Sequence, residues 1–479
     1  MSPSVEPFNE AKYKALMDGL ECKEIYKSKL ERTLRIDAEF YSKFFIDISE
    51  KLSSHNHEPL TDCVNVSDGN HMGISDHFCE EGIPYYRGQD AGSFFIESSK
   101  PICIDEDVFH LPVMRRSHLK QGDVLLSIVG TIGALSLVYD NKKATCSCKL
   151  AILRPKKGKS SELLATFLRS KYGQSQITRF TRGAIQKGLI LEDMDQLIVP
   201  TFGDSFVNAI EKIIRDSYQL QETALAAYGK AEEILQSKLL VDISSAKPIS
   251  QKSVLDSLGK FGRLDAEYYQ EKYHLYETAI LSATQEFTYV KDAFSPVKEK
   301  CSRNLNSYNY VEIGNIDVKT GKASFNTVCT EDLPDNAKIM TKCGDVLVST
   351  VRPNRGAVAI LEEDGLLVSG AFTVLREKGN YPKEILQVLL RTSIYKDWLL
   401  RFNVGTSYPV IKDEDVLNMP IPVFDEGICQ ETVKKIADAA LFRCQSKQLL
   451  EDAKCAVEIA IEQGENVAIE WLKEKRGEC

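Results

Sequence analysis

The chain has 479 residues, 43% hydrophobic and 27% charged, an ordinary globular balance with room for two to four domains. That balance excludes a disordered, collagenous or disulfide-framework protein. No apolar run approaches the roughly 18 residues needed to cross a bilayer, and 13 scattered cysteines without a signal-peptide pattern imply reduced thiols in a cytoplasm.

Along the chain, residues 1–33 mix charged and apolar positions and are expected to form a short helix or strand on the first domain. LRIDAEFYSKFF at 34–45 places Phe40, Tyr41, Phe44 and Phe45 at helical spacing, as on a packed helix face. Residues 111–190 hold 15 lysines and arginines against 3 acids, a net of +12 within a chain of net −9, so this region could follow a phosphate backbone. Inside it, GDVLLSIVG reads as a buried strand after a Gly122-Asp123 turn, and SELLATFLRSKYGQSQI at 161–177 reads as helix. From about Ser205 to Leu240 a proline-free stretch repeats apolar residues at helical spacing, with a length suited to a coiled coil. The serine-rich segment 241–257 reads as a connection.

The same order then returns. GRLDAEYYQEKY at 262–273 repeats the first motif, with Arg263 and Asp265 matching Arg35 and Asp37. GDVLVSTVRPNRGAVAI at 344–360 repeats the strand 222 residues on. RGAIQKGLI at 182–190 aligns with VGTSYPVIK at 404–412, and Pro200 with Pro422, at the same offset. A second long helical stretch runs from about Gln430 to Gln463. Four ordered matches mark an internal duplication. The matching window 333–412 has 11 basic and 8 acidic residues, a net of +3, which leaves −24 on the rest.

With these motifs the chain resembles the specificity subunit of type I restriction-modification enzymes: a duplicated R-[IL]-D-A-E-[FY]-Y start, a GDVL strand with a loop after it, an apolar-proline terminus and a long helix. The resemblance spans about Leu34 to Gln463. It implies an α+β fold with two similar mixed α/β target-recognition domains in a pseudo-two-fold arrangement, separated by two long antiparallel coiled-coil-like helices. The expected boundaries are an N-terminal extension at 1–33, domains at 34–204 and 262–427, helices at 205–240 and 428–466, a linker at 241–261 and a tail at 467–479. Each domain would read one half of a bipartite asymmetric sequence in double-stranded DNA. The helices would dock two methyltransferase subunits, with restriction/motor subunits joining that core. S-adenosylmethionine, ATP and Mg²⁺ would be used by those partners and none by this chain, a cytoplasmic, non-catalytic component of phage defence. The alternative is a two-headed scaffold or regulatory protein of the same fold that has lost DNA binding, which the weakly basic second window favours.

Arginine can hold guanine bidentately, and asparagine or glutamine adenine. Near strand ends and loops the candidates are Arg87, Gln89, Arg115, Arg116, Arg179, Arg182 and Gln186 in the first repeat, and Arg303, Asn304, Arg352, Asn354, Arg355 and Tyr408 in the second. Arg352-Pro-Asn-Arg355 is the most pointed, because it follows a strand and its proline stiffens the loop. Lys142, Lys143, Lys156, Lys157 and Lys159 suit phosphates or plain surface. No phosphate-binding GxxxxGK[ST] loop and no base-methylating Asn-Pro-Pro-aromatic motif occurs. His55-Asn56-His57 is a contiguous tripeptide and too short for a nuclease motif. The histidines and cysteines between 55 and 148 lack metal-ligand spacing.

Overall fold

The structure, a computed structural model, describes residues 8–20, 23–79, 81–96, 101–183, 187–244, 246–247, 250–259 and 262–477. The fold is mixed α/β and divides into two compact units, one of Met1–Gln219 with Gln445–Cys479 and one of Leu220–Cys444.

In the first unit Gly122, at φ 88°, turns the chain into the fully buried strand Val124–Ser127. This strand lies between Leu150–Pro155 and Leu135–Leu137, and Val64–Asp68 completes an antiparallel four-stranded sheet. A second sheet joins Phe78–Cys79, Ile102–Ile104, Ile83–Tyr86 and Thr145–Cys146, the last pair parallel. The segment expected as one helix at 161–177 is two, Ser161–Arg169 and Lys171–Phe180. Ser170 between them is extended and its Oγ caps the amide of Gly173. Gly173 is required there, because a Cβ would lie 2.4 Å from the Phe167 carbonyl oxygen.

The second unit repeats this plan. Gly344 also has φ 88°, Val346–Ser349 lies between Phe372–Glu377 and Val358–Ile360, and Phe294–Pro296 is at the edge. Its second sheet orders Asn326–Cys329, Ser307–Val311, Leu367–Ser369 and Ala337–Met340, with Tyr310 and Leu367 again in a parallel pair. Registers refine the repeat. Val124 pairs with Leu153 and Val346 with Leu375, both at an offset of 222, but Val124 pairs with Leu137 while Val346 pairs with Ile360. The loop after the central strand is therefore one residue longer in the second unit, and the ungapped match over 344–360 needs that insertion.

The two long helices are Asp204–Gln236 and Glu426–Gln463, starting one to four residues before the expected points. Within the first unit, Gly203 N donates to Glu465 at 2.9 Å and Ser217 Oγ meets Ser446 Oγ at 2.9 Å, so the two helical segments run in opposite directions there. Phe206, Ile210 and Ile214 share its core with Ala453, Ala456, Val457 and Ile461. In the second unit Tyr228 and Leu235 share a core with Trp398 and Ala439. The tail is a helix, Glu465–Arg476, whose Ala468 and Leu472 are buried.

Phe40 and Tyr41 do not lie on a helix face. The helix begins at Lys43, and Phe44 on it is 55% exposed. Asp37 is the cause: its carboxylate accepts the Phe40 amide at 3.0 Å and the Arg35 guanidinium, so a side chain closes the turn ahead of the helix. Among the described residues no helix is long and apolar enough to cross a membrane, and no group of His, Cys, Asp or Glu could hold a metal ion.

Candidate nucleic-acid interface

Each unit rests on two frames that recur at equivalent positions of the duplication. In the first frame Asp123, 1% exposed, takes Arg154 Nε and Nη2 at 2.7 Å each, and the Lys120 amide at 2.8 Å. Its twin Asp345 takes Arg376 Nε and Nη2 at 2.7 Å and the Lys342 amide at 2.8 Å. Bidentate pairs of this kind fix orientation as well as energy. The hydrogen bonds that Arg376 donates to Asp345 hold its guanidinium above its ordinary pKa, and those Arg154 donates to Asp123 do the same for Arg154.

The second frame is a stack of two guanidiniums on one ring. Arg35 and Arg179 both lie 4.3 Å from the Phe40 ring centre. Arg263 and Arg401 lie 4.7 and 4.5 Å from Tyr268. Arg179 Nε donates to the Phe40 carbonyl at 2.9 Å, and Arg401 Nε to the Tyr268 carbonyl at 3.3 Å. Burial pushes the Arg179 pKa down. Arg179 therefore supports the frame rather than standing at a tip, which its match to Arg401 at offset 222 could have signalled in the sequence.

Above these frames, the loop after the central strand is crossed by a returning segment. In the second unit Ile411 N donates to Thr350 O at 2.9 Å and Arg352 N to Pro409 O at 2.7 Å. Asn403 Oδ1 accepts the amides of Gly405 and Val410. Gly405 is obligatory, since a Cβ would sit 2.1 Å from the Tyr408 carbonyl oxygen. The result brings Arg352, Asn354, Arg355 and Tyr408 together, all exposed, with the Arg352 guanidinium 5.4 Å from the Tyr408 ring centre. Arg352 has φ 52° and Gly356 φ 71° at the two ends of the short turn Pro353–Arg355. Among the described residues no hydrogen bond or ion pair engages the side chains of Asn354 and Arg355.

The first unit builds the same crossing from other residues. Leu189 N donates to Ile128 O at 2.9 Å, and Arg182 and Gly188 exchange both backbone hydrogen bonds. The loop tip is Gly130-Thr-Ile-Gly133, with φ 84° and 85° at its glycines and no charge. Thr131 Oγ1 donates to Gly88 O at 2.9 Å, which brings the turn carrying Arg87 and Gln89 beside this tip. Gln89 is exposed; Arg87 Nε is 3.5 Å from Asp90. Arg182 is held by Asp193 at 2.8 Å and lies 3.5 Å from Glu31. Gln186, the position matching Tyr408, lies outside the described residues.

The remaining candidates stand apart. Arg115 is exposed, and Arg116 is ion-paired with Asp68. Arg303, at φ 51°, donates to the Pro334 and Ala337 carbonyls, so it braces a loop; Asn304 beside it is exposed. Of the lysines, Lys142 pairs with Asp140, Lys143 with Glu106 and Lys159 with Glu58, Lys156 donates to Thr61 O, and Lys157 is exposed. The sequence reading missed a groove of about 500 Å³ in the first unit, lined by Arg35, Phe40, Ile132, Arg179, Arg182 and Lys187 among others. The duplicated Arg-x-Asp motif was the available signal for it.

No family model matches the chain, and no curated protein matches it. Among solved structures it is similar to the type I restriction-modification system S subunit from M. genitalium, at 10% identity and a TM-score of 0.38, over 85% of this chain and 94% of that one. It is similar at 14% identity and a TM-score of 0.29 to the HsdS subunit from Thermoanaerobacter tengcongensis, over 85% and 97%. A third similar chain, at 14% identity and a TM-score of 0.30 over 85% and 98%, comes from work on complex assembly and conformational transition of the type I restriction-modification system.

Proposed function

We propose that the chain is the DNA sequence-specificity subunit of a type I restriction-modification complex, each unit reading one half of a bipartite asymmetric target. The supporting observation is a frame that repeats beneath tips that do not. Asp123–Arg154 and Asp345–Arg376 are the same pair, whereas the loops they support read Gly-Thr-Ile-Gly and Arg-Pro-Asn-Arg-Gly. Two scaffolds of one design ending in unlike loops suit two unlike half-sites. In the second unit the Arg352 and Arg355 forks match the acceptor pair of guanine, and Asn354 the donor and acceptor of adenine. Tyr408 offers an aromatic face beside them. In the first unit Gln89 and Arg115 are the exposed counterparts, with Arg87 half-buried beside Gln89.

The chain itself is non-catalytic in this reading. Two methyltransferase subunits supply methyl transfer from S-adenosylmethionine, and restriction/motor subunits use ATP and Mg²⁺. The complex acts in the cytoplasm, in phage defence. The net of +3 across 333–412 favours a second reading, a scaffold or regulatory partner of the same design without DNA binding. Base-resolved mapping of methylated adenines in DNA exposed to the reconstituted complex separates the two. A bipartite motif with a fixed spacer supports the specificity subunit, and methylation without sequence preference supports the scaffold.

A further inference from the structure

The two stacked frames differ in two places. In the second unit Arg401 Nη1 pairs with the Glu277 carboxylate at 2.9 Å. In the first unit, among the described residues, the same nitrogen of Arg179 meets the Ser49 hydroxyl alone, at 2.6 Å. Ser49 and Glu277 are equivalent, standing 228 residues apart as Arg35 and Arg263 do. So a guanidinium with a carboxylate partner in one unit lacks one in the other.

A second difference lies on the same ring. Arg263 Nη2, beyond its pair with Asp265, reaches the Asn403 carbonyl at 3.0 Å. Arg35 makes the equivalent pair with Asp37 through Nε and Nη2, and among the described residues its other terminal nitrogen, Nη1, is shielded from solvent without an acceptor. Arg35 and Arg179 both line the 500 Å³ groove, together with the Thr178 and Thr181 side chains, Arg182 and Lys187. The acids that face it are already engaged: Asp37 by Arg35, Glu39 by Lys187 at 3.8 Å, and Asp193 and Glu31 by Arg182. A buried cation without a counter-charge is costly unless something supplies one. Ile132 from the loop tip and Gly183 from the crossing segment form part of the wall, so the groove opens where the proposed reader meets DNA.

We infer that this groove is an oxyanion site on Arg35 and Arg179 that takes a backbone phosphate of the bound duplex, and that the second unit lacks it because Glu277 fills the role internally. A phosphodiester in the groove would face the charge of the Arg35 and Arg179 guanidiniums that line it, anchoring the first unit on one strand without reading sequence. The duplex as the source rests on the specificity-subunit reading; the oxyanion site does not.

Ser49→Glu installs in the first unit the carboxylate its twin carries, in a geometry the fold already accommodates, so folding is retained. Ser49→Gln adds the same bulk without charge. With inorganic phosphate as probe, the full chain and S49Q should show a rise in melting temperature that S49E lacks. Equal responses in wild type and S49E, or loss in S49Q as well, would overturn the site. With labelled duplex DNA titrated over a range of KCl, S49E should flatten the salt dependence of log K by about one unit, since each phosphate contact contributes roughly 0.9. A phosphate response with an unchanged duplex slope would overturn the DNA assignment and leave free phosphate as the ligand. Failure of the wild-type chain to bind duplex at all would sink the specificity reading, with the phosphate arm still deciding the site.

Discussion

Arg182 shows how a residue's role turns on its partners. As a loop arginine it reads as a base contact, but in place it neutralises Asp193, 3% exposed, and Glu31, 8% exposed. Arg182→Ala removes the cation shared by two buried carboxylates and leaves Asp193 with the more distant Arg32 at 3.9 Å, a change that costs ~2 kcal/mol once the partial exposure of the arginine is discounted. Thermal melting should register that loss before any assay of specificity does; an unchanged melting temperature would contradict the assignment. The Arg-x-Asp turns carry a pH signature. Arg263 beside Asp265 and Arg35 beside Asp37 hold both carboxyls below their ordinary value of 3.8. A carboxyl lowered in the folded state contributes stability that is complete above its unfolded value and is lost as pH falls through the folded one. Asp265→Asn should therefore cost stability at pH 7 and remove part of the decline below about pH 4. A urea midpoint that keeps the wild-type acid dependence in the variant would count against this.

At the scale of elements, the crossing segment 403–411 turns a strand end into a presenting surface. Its shape depends on Gly405, where any Cβ meets the Tyr408 carbonyl. Gly405→Ala is expected to unseat Tyr408 from Arg352 and to relax discrimination at one half-site, with only a small drop in melting temperature because residues 404–408 lie outside the core. Wild-type discrimination in that variant would show that the segment takes no part. These elements were legible in the sequence to different degrees. The Gly-Asp turns, the central strands and the long helices follow from local runs and spacing, and the duplication followed from their order. The break at Ser170 was hidden because apolar residues recur at helical spacing on both sides of it, Leu164 and Leu168 before and Tyr172 and Ile177 after. The extra residue before Gly356 was hidden because the flanking strands match without it. The ring stacks could not be read at all, since Arg179 meets Phe40 across 139 residues, and the exchange of Ser49 for Glu277 gains meaning only once both stacks are seen.

For the whole molecule, charge is the main guide. The +12 window of the first unit and the +3 window of the second sit in a chain of net −9, so under the proposed function the first unit would be the stronger holder of phosphate. Within it Lys157 is exposed, while Lys156 and Lys159 also touch Thr61 and Glu58. Replacing all three with alanine should weaken binding to every duplex alike and flatten its salt dependence, with no change of preferred sequence. A shift in preferred sequence, measured by competition among duplexes, would place a base reader among them.

The central claim is that two units of one design read two different half-sites. Its most direct test is methylation by the reconstituted complex across a duplex library with each half-site randomised separately, comparing wild type with Arg352→Ala and Arg355→Ala. The account predicts that each change relaxes one half only, at ~1–3 kcal/mol per base that loses a bidentate contact, and leaves the other half as strict as before. Equal relaxation of both halves, or of neither, would contradict it.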